Sequence, residues 1–177
     1  MLALAACFMN VSFAQEKTVE VGGAAMYPSK NIVDNAVNSK EHTTLVAAVK
    51  AAGLVETLQG SGPFTVFAPT NSAFEKLPAG TVDNLLKPEN KEMLSSVLTY
   101  HVLPGKLDSK EIAAMIKKGD GKAELTTVEG GKIWLWMKGD NLVIKDEKGG
   151  MATVTISDVY QSNGVIHVID TVVMPEG

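Results

Sequence analysis

The chain has 177 residues, of which 45% are hydrophobic and 20% are charged, and its formal net charge is −4 at pH 7. This balance is typical of one globular domain with a hydrophobic core, and it excludes a largely disordered chain. Acidic and basic residues are interleaved without a dense Lys/Arg face, which argues against nucleic acid as the main partner.

The first predicted element is an export signal. Residues 2–13 are almost entirely apolar, but a membrane-spanning helix needs about 20 such residues. The stretch has instead the length of a signal-peptide core, and Ser12-Phe13-Ala14 supplies the small residues that a signal peptidase requires. We therefore expect a signal peptide over 1–14 and a secreted or periplasmic mature protein.

An alternative concerns Cys7, the only cysteine of the chain. The run Leu4-Ala5-Ala6-Cys7 resembles a bacterial lipoprotein box, in which Cys7 would carry a lipid and anchor the protein at the cell envelope. With either fate, residues 15–25 are polar and contain glycine, which predicts a flexible leader. The folded domain is then expected over 26–177.

Helices dominate the first two-thirds of this domain. Apolar residues at helical spacing predict helices over 31–37, 45–52, 54–58, 72–77, 82–86, 89–99 and 109–116. The expected N-cap residues are Ser29, Thr43 or Thr44, Asn71 and Thr81. Two strands interrupt the helices: a buried one over Phe64–Ala68, which Pro69 ends, and a short one over Tyr100–Leu103.

Strands dominate the last third, where β-rich runs alternate with glycine-containing turns. The predicted strands cover 126–128, 133–137, 142–144, 153–156, 159–161 and 165–173. Gly139–Asn141 and Asn163-Gly164 are hairpin signals, so this part predicts an antiparallel meander. Segregated helices and strands indicate an α+β fold and not βαβ alternation. Phe64–Ala68 must join the sheet to be buried.

The sequence offers no catalytic or metal-binding pattern. His42, His101 and His167 are far apart, and none has a second ligand at metal-binding spacing. No phosphate-binding loop and no nucleophile elbow is present. We therefore expect a protein without enzyme activity, metal or cofactor.

Trp134 and Trp136 are the main binding candidate. They alternate on one strand and so share a face, while Ile133, Leu135 and Met137 form an equally apolar second face. One face of a meander must be buried, which favours the core for the tryptophans. If they point outward instead, they form a binding patch for carbohydrate, lipid or protein.

Two histidines are expected to be structural. His101 and His167 each lie in an apolar strand, where a hydrogen-bonded imidazole is the common arrangement. Asn71 and Asp170 are partners that could fix the tautomer. We further expect His101 to organise the loop after Phe67.

Three segments together resemble the fasciclin domain family: 65–74 (TVFAPTNSAF), 100–105 (YHVLPG) and 163–175 (NGVIHVIDTVVMP). Their order and spacing fit as well, and the resemblance extends from about residue 26 to 175. It implies a wedge of antiparallel β-sheets with helices packed along one side. It also implies an extracellular adhesion or matrix-interaction role, with a protein or polysaccharide partner and no catalysis.

The residues of these segments are expected to be scaffold more than contact surface: Phe67, Pro69, Asn71, Tyr100, His101, Asn163, Gly164, His167 and Asp170. In animal members, integrin-binding segments have been proposed near the Tyr-His region. The corresponding segment here gives Asp108 and Ile112 as candidate contacts. A lone domain is monovalent, so adhesion would need anchoring or weak self-association to gain avidity. The alternative function is a soluble protein that binds a small molecule or lipid in a cavity, with Trp134 or Trp136 at its mouth.

Overall fold

The computed structural model describes residues 16–176, so the predicted signal peptide and Cys7 lie outside the described residues. The helices are α1 (Ile32–Ala36), α2 (Thr43–Ala52), α3 (Val55–Gln59), α4 (Asn71–Glu75), α5 (Thr81–Leu85), α6 (Lys91–Tyr100) and α7 (Ser109–Lys118). The strands are β1 (Val19–Val21), β2 (Ala24–Met26), β3 (Phe64–Pro69), β4 (Val102–Pro104), β5 (Ala123–Thr126), β6 (Lys132–Lys138), β7 (Asn141–Lys145), β8 (Met151–Gln161) and β9 (Gly164–Ile169). Among residues 16–176, no helix is long and apolar enough to cross a membrane.

Seven strands form one sheet in the order β4-β3-β9-β8-β7-β6-β5. The predicted α+β class is confirmed, and β3 joins the sheet as its buried position required. One pair departs from the expected antiparallel arrangement, because β3 runs parallel to β9. The long chain segment between these two strands makes such a crossover possible. Register shifts between Val154 and Val159 interrupt the pairing of β8 with β9, and irregularities of this kind bend a sheet.

The hydrophobic core has two clusters. The first lies between the N-terminal helices and the part of the sheet formed by β3 and β9, with Leu45, Leu98 and Ile166 among its buried members. The second lies between α7 and the inner face of β5–β8, with Ile112 and Leu135 buried in it. Helix α7 therefore covers one face of the meander, and the opposite face is left outward.

The N-terminal hairpin corrects the prediction for 15–25. Strands β1 and β2 pair in register from Val19 to Met26, and Val21 and Met26 are buried in the first cluster. Gly22 and Gly23 form the turn with φ angles of 59° and 74°, which glycine adopts without strain. The prediction of a flexible leader is therefore wrong over 19–25, where a Gly-Gly turn joins two short strands.

Several predicted helix N-caps are shifted. Asn31, not Ser29, caps α1 by accepting a hydrogen bond from Asp34 N at 2.9 Å. Thr70, not Asn71, caps α4. Asn71 instead accepts a hydrogen bond from Thr44 N at 3.0 Å and so satisfies a free N–H group of α2. The expected caps Thr43 or Thr44 of α2 and Thr81 of α5 are wrong, because His42 and Gly80 hold these N-cap positions without a side-chain cap bond.

Two strand boundaries also differ. Tyr100 is the last residue of α6 and His101 donates its N–H to Leu98 O at 3.1 Å, so the strand after them begins only at Val102. Strand β9 ends at Ile169 and does not continue to Val173. The N–H of Val173 bonds the His101 side chain instead of a neighbouring strand.

Candidate functional site

The outer face of β5–β8 carries both tryptophans. Ile133 and Leu135 are 1% and 0% exposed in the second cluster, whereas Trp134 and Trp136 are half-buried on the opposite face. The core interpretation of the tryptophans is therefore wrong, because aliphatic side chains beneath α7 already fill the inner face. Met137, on the same face of β6 as Ile133 and Leu135, is 45% exposed near the strand end.

The strand register sets the neighbours of each indole. Trp134 lies between Glu124 on β5 and Lys145 on β7. Trp136 pairs with Val143, which pairs in turn with Thr153 on β8. Val143 is only 5% exposed and belongs to neither core cluster, so the outer face has a small apolar centre of its own.

Polar contacts fix the orientation of Trp134. Its Nε1 donates a hydrogen bond to Glu124 Oε2 at 3.0 Å, and the other carboxylate oxygen lies 2.6 Å from Lys132 Nζ. Lys122 Nζ lies 5.4 Å from the centre of the indole ring, a cation–π distance. The Lys132 ammonium has the largest effect on Glu124 and the indole N–H the next largest, and both lower the pKa of its carboxyl group. The indole is thus held in place by the polar groups of Glu124, Lys132 and Lys122.

His101 is a neutral, fully bonded imidazole. Its Nδ1–H donates to Val97 O at 2.7 Å, and its Nε2 accepts from Val173 N at 3.2 Å. Burial lowers its pKa to about 4. Neither Asn71 nor Asp170 is its partner, which corrects the expected pairing. The link to Phe67 is through the backbone, because Phe67 N donates to His101 O at 2.9 Å.

His167 is bonded in the same manner. Its Nε2–H donates to Leu107 O at 2.8 Å, its Nδ1 accepts from Asp158 N at 3.4 Å, and burial lowers its pKa. The ring also stacks on Phe67, with centroids 5.6 Å apart. Asp170, the other expected partner, instead accepts a hydrogen bond from Thr153 N at 2.8 Å.

His42 borders a small cavity. Its Nδ1 bonds Ser39 Oγ at 2.8 Å, while its buried Nε2 has no hydrogen-bond partner among residues 16–176. The Ala68 backbone nearby raises the pKa of His42. Burial is the stronger influence and lowers the pKa overall. The cavity lies between the N-terminal hairpin, α1, α2 and the sheet, and measures about 50 Å³.

This cavity supports the small-molecule alternative only weakly. Typical ligand pockets measure roughly 300–1,000 Å³, several times its volume. The side chains that line it are almost wholly apolar, such as Met26, Val49 and Ile166, and neither Trp134 nor Trp136 is among them. The structure thus does not bring the tryptophans to the mouth of this cavity.

The two candidate contact residues Asp108 and Ile112 differ in how far they are buried. Ile112 is 1% exposed in the second cluster, so the prediction that it contacts a partner is wrong. Asp108 is half-buried, and its Oδ1 caps α7 by accepting from Lys110 N and Glu111 N at 3.1 and 3.0 Å. Its Oδ2 accepts from the hydroxyl of Tyr160 at 3.1 Å. These hydrogen bonds, of which the one from Glu111 N has the largest effect, hold the pKa of Asp108 below its ordinary value.

The remaining motif residues hold the scaffold. Asn163 donates to Leu58 O and Gly60 O at 2.7 and 2.8 Å and accepts from Ile32 N at 3.0 Å, which ties α1 and α3 to the β8–β9 turn. A Cβ on Gly164 would lie 2.0 Å from Phe64 O, so β9 can approach β3 only with glycine there.

Two further motif residues, Tyr100 and Pro69, also hold the scaffold. The Tyr100 hydroxyl donates to Lys132 O at 2.6 Å, and burial raises its pKa. Pro69 is buried at the end of β3. Across residues 16–176, no cluster of side chains is suited to hold a metal ion.

The same fold occurs in a solved structure of a cell adhesion molecule. The structure superposes on the FAS1 domain pair of the insect cell adhesion molecule fasciclin I with a TM-score of 0.74 at 19% identity, over 85% of this chain and 52% of that one. Residues 40–175 match the fasciclin domain family. Protein sll1483 of Synechocystis sp. is 48% identical over 165 residues, covering 90% of this chain and 82% of that protein.

A further relative is the cell surface glycolipoprotein MPB83 of Mycobacterium bovis, which is 33% identical over 168 residues, 92% of this chain and 69% of its own length. The chain belongs to the fasciclin domain family, which confirms the resemblance of its three segments.

The lysines around the tryptophans were missed in the sequence. Lys122, Lys138 and Lys145 lie in different turns and strands, and each looks like an ordinary solvated charge. Only the strand register, which places Lys145 opposite Trp134, shows that they surround one surface.

Proposed function

We propose that this protein is an extracytoplasmic adhesion or matrix-interaction module that binds protein or polysaccharide through the outer face of β5–β8. The observation that carries the proposal is the pair Trp134 and Trp136, half-buried on the outward face of the sheet. Aromatic side chains at a surface supply large contact area at low entropic cost. The family motifs, in contrast, are buried in the scaffold and leave the binding role to this face.

A location outside the cytoplasm agrees with relatives whose names describe a cell-surface glycolipoprotein and a cell adhesion molecule. The predicted signal peptide, or lipidation of Cys7 as the alternative, would deliver the domain there. The intact mass of the mature protein distinguishes the two, since a lipidated Cys7 adds acyl mass and retains residues 8–14.

A non-catalytic role is supported by how the buried polar groups are used. Both ring nitrogens of His101 and of His167 take part in hydrogen bonds to the backbone, so neither ring is available for proton transfer to a substrate. Binding through an open surface requires no such group.

The test is binding of the purified protein to extracellular matrix prepared from the cells that produce it. Changing Trp134→Ala together with Trp136→Ala should weaken binding at least about tenfold, as expected for central aromatic contacts. The matched control is Met93→Ala, since Met93 is 56% exposed on α6. Unchanged binding by the double tryptophan variant would show that this face is not the binding surface.

A further inference from the structure

Resting on the proposed function, we infer that the ligand of the tryptophan face is an acidic polysaccharide, one that carries carboxylate or sulfate groups. We call the tryptophan face the outward residues of β5–β8 together with Lys122, which contacts Trp134. The inference combines the shape of this face, the way Trp134 is held, and a local charge opposite to that of the whole chain.

The shape suits an extended, narrow ligand. Trp134 and Trp136 are two residues apart on one strand, so their side chains are roughly 7 Å apart along it. On the neighbouring strands the same face carries Val143, Thr153 and Met151, and Met151 is 60% exposed. The exposed apolar area is thus confined mainly to the two indoles and the Met151 side chain. That is much less than the ~1,000 Å² that a specific protein interface buries, whereas sugar rings stack their C–H faces on single indoles.

The platform is preorganised before any ligand arrives. The Glu124 carboxylate holds the Trp134 N–H at 3.0 Å and is itself held by Lys132 Nζ at 2.6 Å. Because Glu124 is engaged with both partners, its charge is largely compensated. A ligand that stacks on Trp134 therefore does not have to immobilise the ring, which lowers the entropic cost of binding.

The charge around the platform is positive, although the chain as a whole carries −4. Lys122, Lys138 and Lys145 are exposed around the two indoles, and none of them takes part in an ion pair within the described part of the chain. Along β5–β7 the register places one carboxylate on the outward face, that of Glu124, which is already paired with Lys132. Asp140 lies at the turn between β6 and β7, and Asp146, next to Lys145 in sequence, is buried, so the lysines are in excess on this face. A neutral sugar polymer would not use these cations, whereas a uronate or sulfate ester would.

The experiment measures binding of the full mature chain to two matched pairs of polymers by titration calorimetry. The pairs are polygalacturonate against its methyl ester, and dextran sulfate against dextran. We expect the acidic member of at least one pair to bind at least tenfold more tightly than its neutral partner, and to bind more weakly as NaCl rises, since exposed charge contacts are screened.

Variants separate the two parts of the site. Lys138→Gln with Lys145→Gln should weaken binding of the acidic polymer about fivefold to tenfold, because each exposed charge contact contributes a few-fold in affinity. The charge-matched control, Lys50→Gln with Lys87→Gln on the helical side, should leave it unchanged. Trp136→Ala should weaken it by at least tenfold.

The outcomes distinguish this inference from the proposed function. Equal binding of neutral and acidic polymers, lost in Trp136→Ala, would overturn the acidic ligand and leave the tryptophan face as a binding surface. Binding of phosphatidylglycerol vesicles as tight as that of the polymers, sensitive to the lysine changes but not to Trp136→Ala, would also overturn it in favour of a membrane surface. Acidic-polymer binding that survives both sets of changes would overturn the inference and remove support for the face itself.

Discussion

Acidification from pH 7 to pH 5 should destabilise this domain, chiefly through its buried histidines. His101 is the clearest case, since its ring is 2% exposed and both nitrogens are bonded in the neutral form. Protonation would put a second hydrogen on Nε2, where the N–H of Val173 already donates. The folded protein therefore binds this proton less readily than the unfolded chain does, and burial lowers the pKa of His101 from 6.5 to about 4.

The sign of the effect follows from this shift. Between the folded pKa and the unfolded value, the unfolded chain binds a proton that the folded one does not, so stability falls as the pH falls. For His101 alone the loss from pH 7 to pH 5 is about 2 kcal/mol. Burial also lowers the pKa values of His42 and His167, so the loss for the whole domain should be larger. The stabilisation from the lowered pKa values of Asp108 and Glu124 is lost mainly below this window.

Urea unfolding at both pH values and constant ionic strength measures the difference. The His101→Gln variant should lose about 2 kcal/mol of the pH dependence, whatever its stability at pH 7. An NMR titration of the wild-type protein should show no protonation of His101 above pH 5. A wild-type stability that changes by less than about 1 kcal/mol over this range, or a variant that keeps the full pH dependence, would refute the reasoning.

Three further changes test the scaffold by thermal or urea unfolding. Asn163→Ala leaves three backbone groups without their partner and should cost about 3 kcal/mol, whereas the exposed control Asn38→Ala should cost less than about 0.5 kcal/mol; equal losses would contradict this role. Val66→Ile adds a methyl group beside the 50 Å³ cavity and should stabilise by about 0.5 kcal/mol, while Val168→Ile, which does not line it, should overpack and destabilise by about 1–3 kcal/mol. Ile112→Ala should cost about 2–5 kcal/mol and leave matrix binding by the folded protein unchanged; a selective loss of binding would restore Ile112 as a contact.

The sequence alone was sufficient for the fold class. Hydrophobic period and turn residues depend on local geometry, so the helices of the first two-thirds and the hairpin at Asn163-Gly164 could be predicted from nearby residues. Boundaries were less certain where two local patterns compete. Tyr100 and His101 have a strand-like composition, yet α6 extends through Tyr100 because its hydrogen bonds are still favourable there.

The tertiary structure decided what the local patterns leave open. Trp134 and Trp136 occupy one face of β6 in any strand, but which face is outward depends on where α7 packs. The three lysines come to lie around one surface only through the register of β5, β6 and β7. The partners of His101 and His167 are backbone groups, and no residue type marks a backbone group in a sequence. Local patterns therefore determined the elements, whereas burial and long-range pairing determined the surface available for binding.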